Sequence, residues 1–351
     1  MNTDQLFLVS QQLQAKPDLA AYARDELNLI ADLPSYRNWA TTLAQRDPYR
    51  IPYSQAVPAL LALGLVDAEG RLAGRVNVIR GRVFLTDGAW VAPNYRAFPF
   101  SDESEAMIDL LTQLQWERNS DVAVDLATGC GHTALSLSTP LQALLDINPR
   151  ALCYGTINKL LNGLGGSQYV SILNNIQAGL PRALTQQADK GLLVVANMPF
   201  APAPSRTSLP LTSGGGRTGL DLQAATFKAL AQARKELPAH TPLRAVVMGM
   251  TMGDAAAHRW QLLEMAKRML SGAHLNWVLL QQHQLMRLNG SRAVANPSPG
   301  LVALPAIASC ELYHPEAAVR AKLAASYESL AHDHVAQGNP DMAFGAVLVE
   351  W

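Results

Sequence analysis

From residue 121 onward, short apolar runs of strand length alternate with longer segments of helical periodicity, and few folds accept that alternation. Strands are predicted at 121–126, 142–146, 169–173, 191–196, 243–250, 274–281 and 342–350. Helices are predicted between the first five, at 131–138, 149–162, 178–188 and 221–236, with another at 254–270. Strand–helix alternation of this kind buries its apolar faces as a parallel sheet with helices on both sides. The expectation is an α/β fold with a seven-stranded sheet. The strand at 342–350 has no helix after it and is expected to insert antiparallel beside an edge.

Ahead of that region the pattern differs. Residues 1 to about 50 read as helical, with Leu6, Val9 and Leu13 at three- and four-residue spacings. Val57–Gly64 reads as a short helix closed by glycine. Arg75–Thr86 reads as two strands meeting at Gly81, so residues 1–92 are expected to form a helical, winged-helix-like domain. Residues 93–351 form the second expected domain, in which 282–341, with a proline-rich loop and a helix at 315–336, is an insertion or cap.

The 351 residues carry 28 basic and 28 acidic side chains. A balance at zero argues against a nucleic-acid partner held through the overall field, because such proteins carry a basic surplus. No apolar run reaches the length of a membrane span, and Asp4 stands where a secretory leader carries a basic residue. The three cysteines, Cys130, Cys153 and Cys310, are too scattered for a disulfide framework. A cytoplasmic enzyme with reduced thiols is expected. The helical N-terminal module is a candidate homodimer surface.

Three motifs carry chemistry. Val122–Leu126 is an apolar strand with an acid, Asp125, near its end, followed by the turn Ala127-Thr128-Gly129-Cys130-Gly131 and the start of a predicted helix. Glycines there let a ligand approach the backbone, and a helix start offers free N–H groups. The register is not the G-x-G-x-x-G of pyrophosphate binding. Asp146 ends the next strand, where a carboxylate accepts hydrogen bonds from ribose hydroxyls. Asn197-Met198-Pro199-Phe200 ends the fourth strand, at the sheet edge where ligands of such folds sit.

In this order the segment from Val122 to about Leu230 resembles class I S-adenosylmethionine (SAM)-dependent methyltransferases. It is most similar to the small-methyltransferase, HemK-like branch with an N-P-P-Y motif, here as the variant N-M-P-F. Asp125-Leu-Ala-Thr-Gly-Cys-Gly131 is similar to D-L-G-T-G-x-G, and Asp146-Ile-Asn-Pro-Arg-Ala-Leu152 to D-I-S-x-x-A-L. Asn158 and Asn162-Gly163 are similar to the following N-x-x-x-N-G, and Gly214–Asp221 echoes a glycine stretch of the same branch. The resemblance implies a Rossmann-like class I sheet with SAM as cosubstrate. Asp125, Ala127, Thr128, Gly129 and Gly131 would hold its methionine end, Asp146 its ribose and Ile147 its adenine. Asn174 and Asn175 stand where an acid usually meets the adenine amino group, and Asn197 would face the reacting centre.

The implied activity is methyl transfer to a nitrogen or oxygen nucleophile of a small molecule or peptide. Asn197, Met198, Pro199 and Phe200 would orient and stack on the acceptor. Tyr95, Phe98 and Phe100 would form an aromatic cage, since ring faces attract a sulfonium as they attract ammonium. Met198 and Phe200 depart from N-P-P-Y, which opens an alternative: cyclisation of SAM itself with loss of methylthioadenosine, as in azetidine-2-carboxylate synthases. A non-catalytic SAM-fold binding subunit is the third reading. No metal is assigned, because no histidine stands in ligand spacing with Cys, Asp or Glu; His332-x-His334 reads as a solvated helix face.

Overall fold

The computed structural model describes residues 1–41, 45–52, 56–92, 94–97, 102–164, 168–205, 209–210, 213–284 and 316–351. In chain order the elements begin with α1 (Thr3–Ala15), α2 (Pro17–Asp32), α3 (Pro34–Ala40), α4 (Pro58–Ala62), β1 (Arg75–Ile79) and β2 (Arg82–Thr86). Then come α5 (Asp102–Leu114), β3 (Val122–Leu126), β4 (Leu141–Asp146), α6 (Pro149–Leu161), β5 (Gln168–Leu173), α7 (Arg182–Thr185) and β6 (Leu192–Ala196). The chain finishes with α8 (Asp221–Glu236), β7 (Leu243–Asp254), β8 (Arg259–Trp260), α9 (Gln261–Met269), β9 (His274–Gln284), α10 (Ala317–Ala336) and β10 (Asp341–Glu350). Among the described residues no helix is long and apolar enough to cross a membrane. The protein is α/β, and it divides into two compact units, Met1–Phe100 with Thr128–Leu173, and Ser101–Ala127 with Asn174–Trp351.

In the first unit, α1 opens with a capping box in which the Asn2 and Gln5 side chains each accept the other residue's backbone N–H. Glu26 of α2 is buried, and its two carboxylate oxygens accept the Ala59 and Leu60 N–H groups at 2.9 Å, closing the start of α4. A turn at Arg80–Gly81, both at positive φ, joins β1 to β2.

Two strands alone are marginal, and their free edges need partners. Side chains supply them. On β1, the Tyr36 hydroxyl donates to the Val76 carbonyl and accepts the Val76 N–H, at 2.8 and 2.7 Å. Burial pushes that phenol up to about 12. On β2, Asn158 and Asn162 of α6 each act as a strand partner. The Asn158 amide accepts from Leu85 N–H and donates to Leu85 O, and Asn162 does the same with Val83. Asn158 also donates to the Cys130 carbonyl, which ties β2 and α6 to the glycine turn. One core runs from Leu6, Leu13 and Leu27 through Phe84 and Leu85 to Tyr154 and Ile157. β4 and β5 pair in parallel, with Asp146 opposite Leu173.

A buried ion pair holds this core together. Arg150 grips both oxygens of Asp87, through Nε at 2.6 Å and Nη2 at 2.5 Å. The Asp87 carboxylate also accepts the Tyr154 hydroxyl at 2.9 Å and the Ala97 N–H at 2.8 Å.

In the second unit β3, β6 and β7 run parallel; β6 is apolar throughout, while β3 carries Asp125 and β7 Arg244 within the paired segment. β10 pairs antiparallel with β7 on one side and with β9 on the other, so it lies beside an edge as expected. The seven strands read from the alternation are all present, and β8 adds a two-residue antiparallel pairing to the end of β7.

Three helices differ from expectation. Residues 131–138 form only a single 3-10 turn at Ala134–Ser136, after which Leu137 is extended. Pro140 and the start of β4 at Leu141 leave no room for an α-helix there. Residues 178–188 hold only the four-residue α7, because Gly179 at φ 86° and Pro181 break the run. At 254–270 the strand β7 continues to Asp254 and turns into β8, so the helix starts at Gln261.

Candidate functional site

In the first unit the glycine turn is shaped by left-handed backbone, with Gly129 at φ 56° and Gly131 at φ 81°. A Cβ on Gly131 would stand 3.0 Å from Gly155 Cα, so the turn lies directly on α6. Because no α-helix follows, the turn's N–H groups are those of a loop, and the expected helix start behind it is absent. Gly131 N donates to Thr128 O and Leu135 N to Gly131 O. Thr128 and Cys130 are buried.

Asp146 stands at the end of β4 and is 9% exposed. Its Oδ2 accepts the Gly129 N–H at 3.0 Å and its Oδ1 the Asn148 N–H at 2.8 Å. Burial raises this carboxyl to about 6, against the pull of the Asn148, Gly129 and Ile147 N–H groups. Three large side chains linked to it by chain, register or a neighbouring hydrogen bond lie open to solvent. Ile147 follows it in the chain and is 49% exposed, and Leu173, its register partner on β5, is 63% exposed. Tyr95 is 72% exposed, and its carbonyl accepts from the Asn148 amide at 3.3 Å. Phe98 and Phe100, the other rings read as a cage, lie outside the described residues.

His132, beside this turn, is buried edge-on against Phe84, and burial with Arg80 and Arg82 nearby lowers it to about 3. It is a neutral core imidazole.

In the second unit Asp125 is buried near the end of β3, opposite Val195. Ala127 adopts φ 54°, the left-handed region that disfavours a Cβ. Ala127→Gly is therefore expected to raise stability by up to about 1.5 kcal/mol, since the left-handed region costs about 1–2 kcal/mol and glycine's extra entropy about 0.5–1. Denaturant unfolding of both proteins measures it; a lower midpoint would show the turn unstrained. Asn175 spends its side-chain oxygen capping Gln177 N at 3.0 Å, and the Asn174 amide donates to Gly179 O at 3.3 Å. The carbonyl of Asn175 thus already has a backbone donor.

The Asn197–Phe200 loop closes β6. Asn197 Oδ1 is buried with no hydrogen-bond partner among the described residues. Met198 is buried, and the Phe200 ring packs on Phe344 of β10 at 5.2 Å between centroids, tilted by 44°. The Gly214–Gly219 stretch lies against this loop backbone to backbone: Ala201 N donates to Ser213 O, Gly215 N to Ala201 O and Ala203 N to Gly216 O, each at 2.9 Å. A Cβ on Gly219 would come within 2.4 Å of Phe200 O, which is why the stretch is glycine-rich.

Two further groups went unread in the sequence, and a third was misread. Ser213 Oγ, Gln223 Oε1 of α8 and both ring nitrogens of His334 are buried without a hydrogen-bond partner among the described residues. His334 is 3% exposed, which corrects its reading as part of a solvated face. Two residues along an α-helix rotate by about 200°, so His332 faces out while His334 shares the inner face with Tyr327, Leu330 and Ala331. Only the tertiary packing around them reveals these groups. Among the described residues no cluster of His, Cys, Asp and Glu could hold a metal ion.

No family model matches the chain, and no curated protein matches it. Among solved structures it is similar to M. jannaschii TYW2 in complex with AdoMet, at 13% identity and a TM-score of 0.40, over 80% of this chain and 87% of that one. It is similar to aTrm5 in complex with tRNALeu, at 12% identity and a TM-score of 0.37, over 79% of this chain and 53% of that one. It is also similar to Haemonchus contortus phosphoethanolamine N-methyltransferase 2 in complex with S-adenosyl-L-methionine, at 9% identity and a TM-score of 0.33, over 70% of this chain and 52% of that one. Likeness at this level leaves the function to be read from the chain's own residues.

Proposed function

We propose that the protein is a SAM-dependent methyltransferase acting on a nitrogen or oxygen nucleophile of a small molecule or peptide. The observation that carries the reading is the end of β4. A buried carboxylate, Asp146, stands there beside a left-handed glycine turn, with exposed Ile147 next in the chain, exposed Leu173 opposite it on β5, and exposed Tyr95 bonded through its carbonyl to Asn148. Exposed apolar side chains gathered around a polar group mark a ligand surface more often than a bare one. The donor set fits a nucleoside: the carboxylate accepts ribose hydroxyls, and the apolar side chains cover a base.

SAM, when bound, supplies a methyl group already activated as a sulfonium. What the chain contributes is alignment, which is worth several kcal/mol when the reacting atoms are held in line. Asp146 holds the ribose and the Thr128–Gly131 turn the amino-acid end. Asn197 Oδ1, which lacks a donor within the described protein, accepts an N–H or O–H of the nucleophile. Met198, Pro199 and Phe200 shape the apolar wall beside it.

The test is calorimetry with SAM, then mass spectrometry after incubation with SAM alone and with pools of amines, amides, hydroxy compounds and peptides. Binding, with S-adenosylhomocysteine formed only when a pool is present, is the expected result. Methylthioadenosine from SAM alone would replace methyl transfer by cyclisation. No binding at all would overturn the reading.

A further inference from the structure

Three of the buried groups that the proposed reaction leaves unused lie along the glycine stretch and two helices joined to it, α8 and α10. Ser213 begins the glycine stretch, bonded through its carbonyl to Ala201 beyond the Asn197–Phe200 loop. Asp221 N donates to Gly215 O at 2.9 Å, so the stretch passes straight into α8, which carries Gln223 in its first turn. Gln223 is fully buried, and its amide nitrogen reaches the Met248 carbonyl of β7 at 3.3 Å. Ala196 pairs with Val247, so Met248 lies beside Asn197 in register. On the other side, Arg217 of the stretch pairs with Asp333 of α10, and the next residue of that helix is His334. The Arg217 backbone faces the His334 ring without a hydrogen bond of good geometry to either nitrogen.

Buried polar atoms of native proteins are nearly always bonded, so a group of them points to a ligand. Their chemistry says which. Gln223 Oε1 needs a donor. Burial lowers His334 below the usual histidine range, so the ring is neutral, with one nitrogen asking for a donor and the other for an acceptor. The Ser213 hydroxyl takes either. A carboxylate brings no donor for Gln223, and an ammonium brings no acceptor for the imidazole N–H. The neighbouring charges, Arg217 and Asp333, are spent on each other.

We infer that Ser213, Gln223 and His334 form a recognition subsite for an uncharged group that both donates and accepts hydrogen bonds, a hydroxyl-bearing carbon or an amide, on the methyl acceptor. This rests on the reading of Asn197–Phe200 as the acceptor side. It makes α10, from the region the resemblance does not cover, the element that selects the substrate.

The probes are propylene glycol and propionamide, with propionate and propylammonium at equal concentration as contrasts. The readout is the ring signal of His334 in proton–nitrogen correlation spectra of the full chain with isotopically labelled histidine, assigned by its loss in His334→Gln. A saturable shift with the glycol, the amide or both, and with neither ion, is expected. A response to only one of them assigns the hydroxyl or the amide. Gln223→Leu should weaken that response about tenfold, the effect of one lost hydrogen bond. Ser213→Ala, the milder change, should weaken it in the same direction if Gln223→Leu does not fold. Silence to both uncharged probes, equal response to all four, or unchanged affinity in the folded variants would overturn the subsite. The probes need no SAM, so SAM binding with a silent His334 defeats this inference alone. A probe response in a protein that binds no SAM defeats the methyltransferase reading alone.

Discussion

Asp87→Ala is expected to remove about 3–5 kcal/mol of folding stability from the first unit. Asp87 and Arg150 have side chains 0% and 5% exposed, so the pair has almost no water to fall back on. Removing the carboxylate strands the Arg150 guanidinium, the Tyr154 hydroxyl and the Ala97 N–H in the core together. Arg150 also donates to the Met1 carbonyl at 2.8 Å, so the loss extends to the start of the chain. Whole domains hold about 5–15 kcal/mol, so the variant should melt far below the parent or not fold at 37 °C. Urea unfolding followed by circular dichroism measures the change. The double variant Asp87→Leu with Arg150→Met should recover much of the loss, because the cost lies in the unpaired charge. A single-variant loss below 1 kcal/mol would mean that water reaches the pair.

The second large effect concerns SAM. Asp146→Ala is expected to weaken SAM binding about a hundredfold, from two charge-assisted hydrogen bonds to ribose at about 1.5 kcal/mol each. Calorimetry reads it directly, and an unchanged affinity would remove Asp146 from the site. The pH dependence adds an independent check. With the carboxyl raised to about 6, the parent should lose about tenfold in affinity between pH 7 and pH 5 as the acceptor is protonated. The folded state takes this proton more readily than the unfolded one. Asp146 therefore favours folding more, not less, as pH falls from 6 toward 4, and the lost affinity cannot be charged to unfolding through this group. In Asp146→Ala that slope should vanish.

Much of this was open to reading because it is local. A strand needs a short apolar run and a helix needs periodicity, and both are written in consecutive residues. The strands at 121–126, 142–146, 191–196 and 342–350 and the helices at 149–162 and 221–236 emerged within a residue or two of those limits. Gly81, Gly129 and Gly131 stand at positive φ, where the chain turns sharply. Where local signals competed, the reading failed. Residues 131–138 look helical, yet Pro140 and the nearby start of β4 forbid the helix.

Asn158 and Asn162 show the other limit. Their spacing on α6 was visible as a motif, but not that their amides complete the edge of β2. That pairing joins residues more than seventy positions apart. His334 follows the same rule: its charge state and use depend on what α10 packs against, and helical periodicity cannot name the neighbour. By itself the sequence determined the order of elements, the turns and the candidate carboxylate and asparagine. Tertiary structure alone decided which polar groups became buried, because burial is a property of the neighbours that folding brings together and not of the residue.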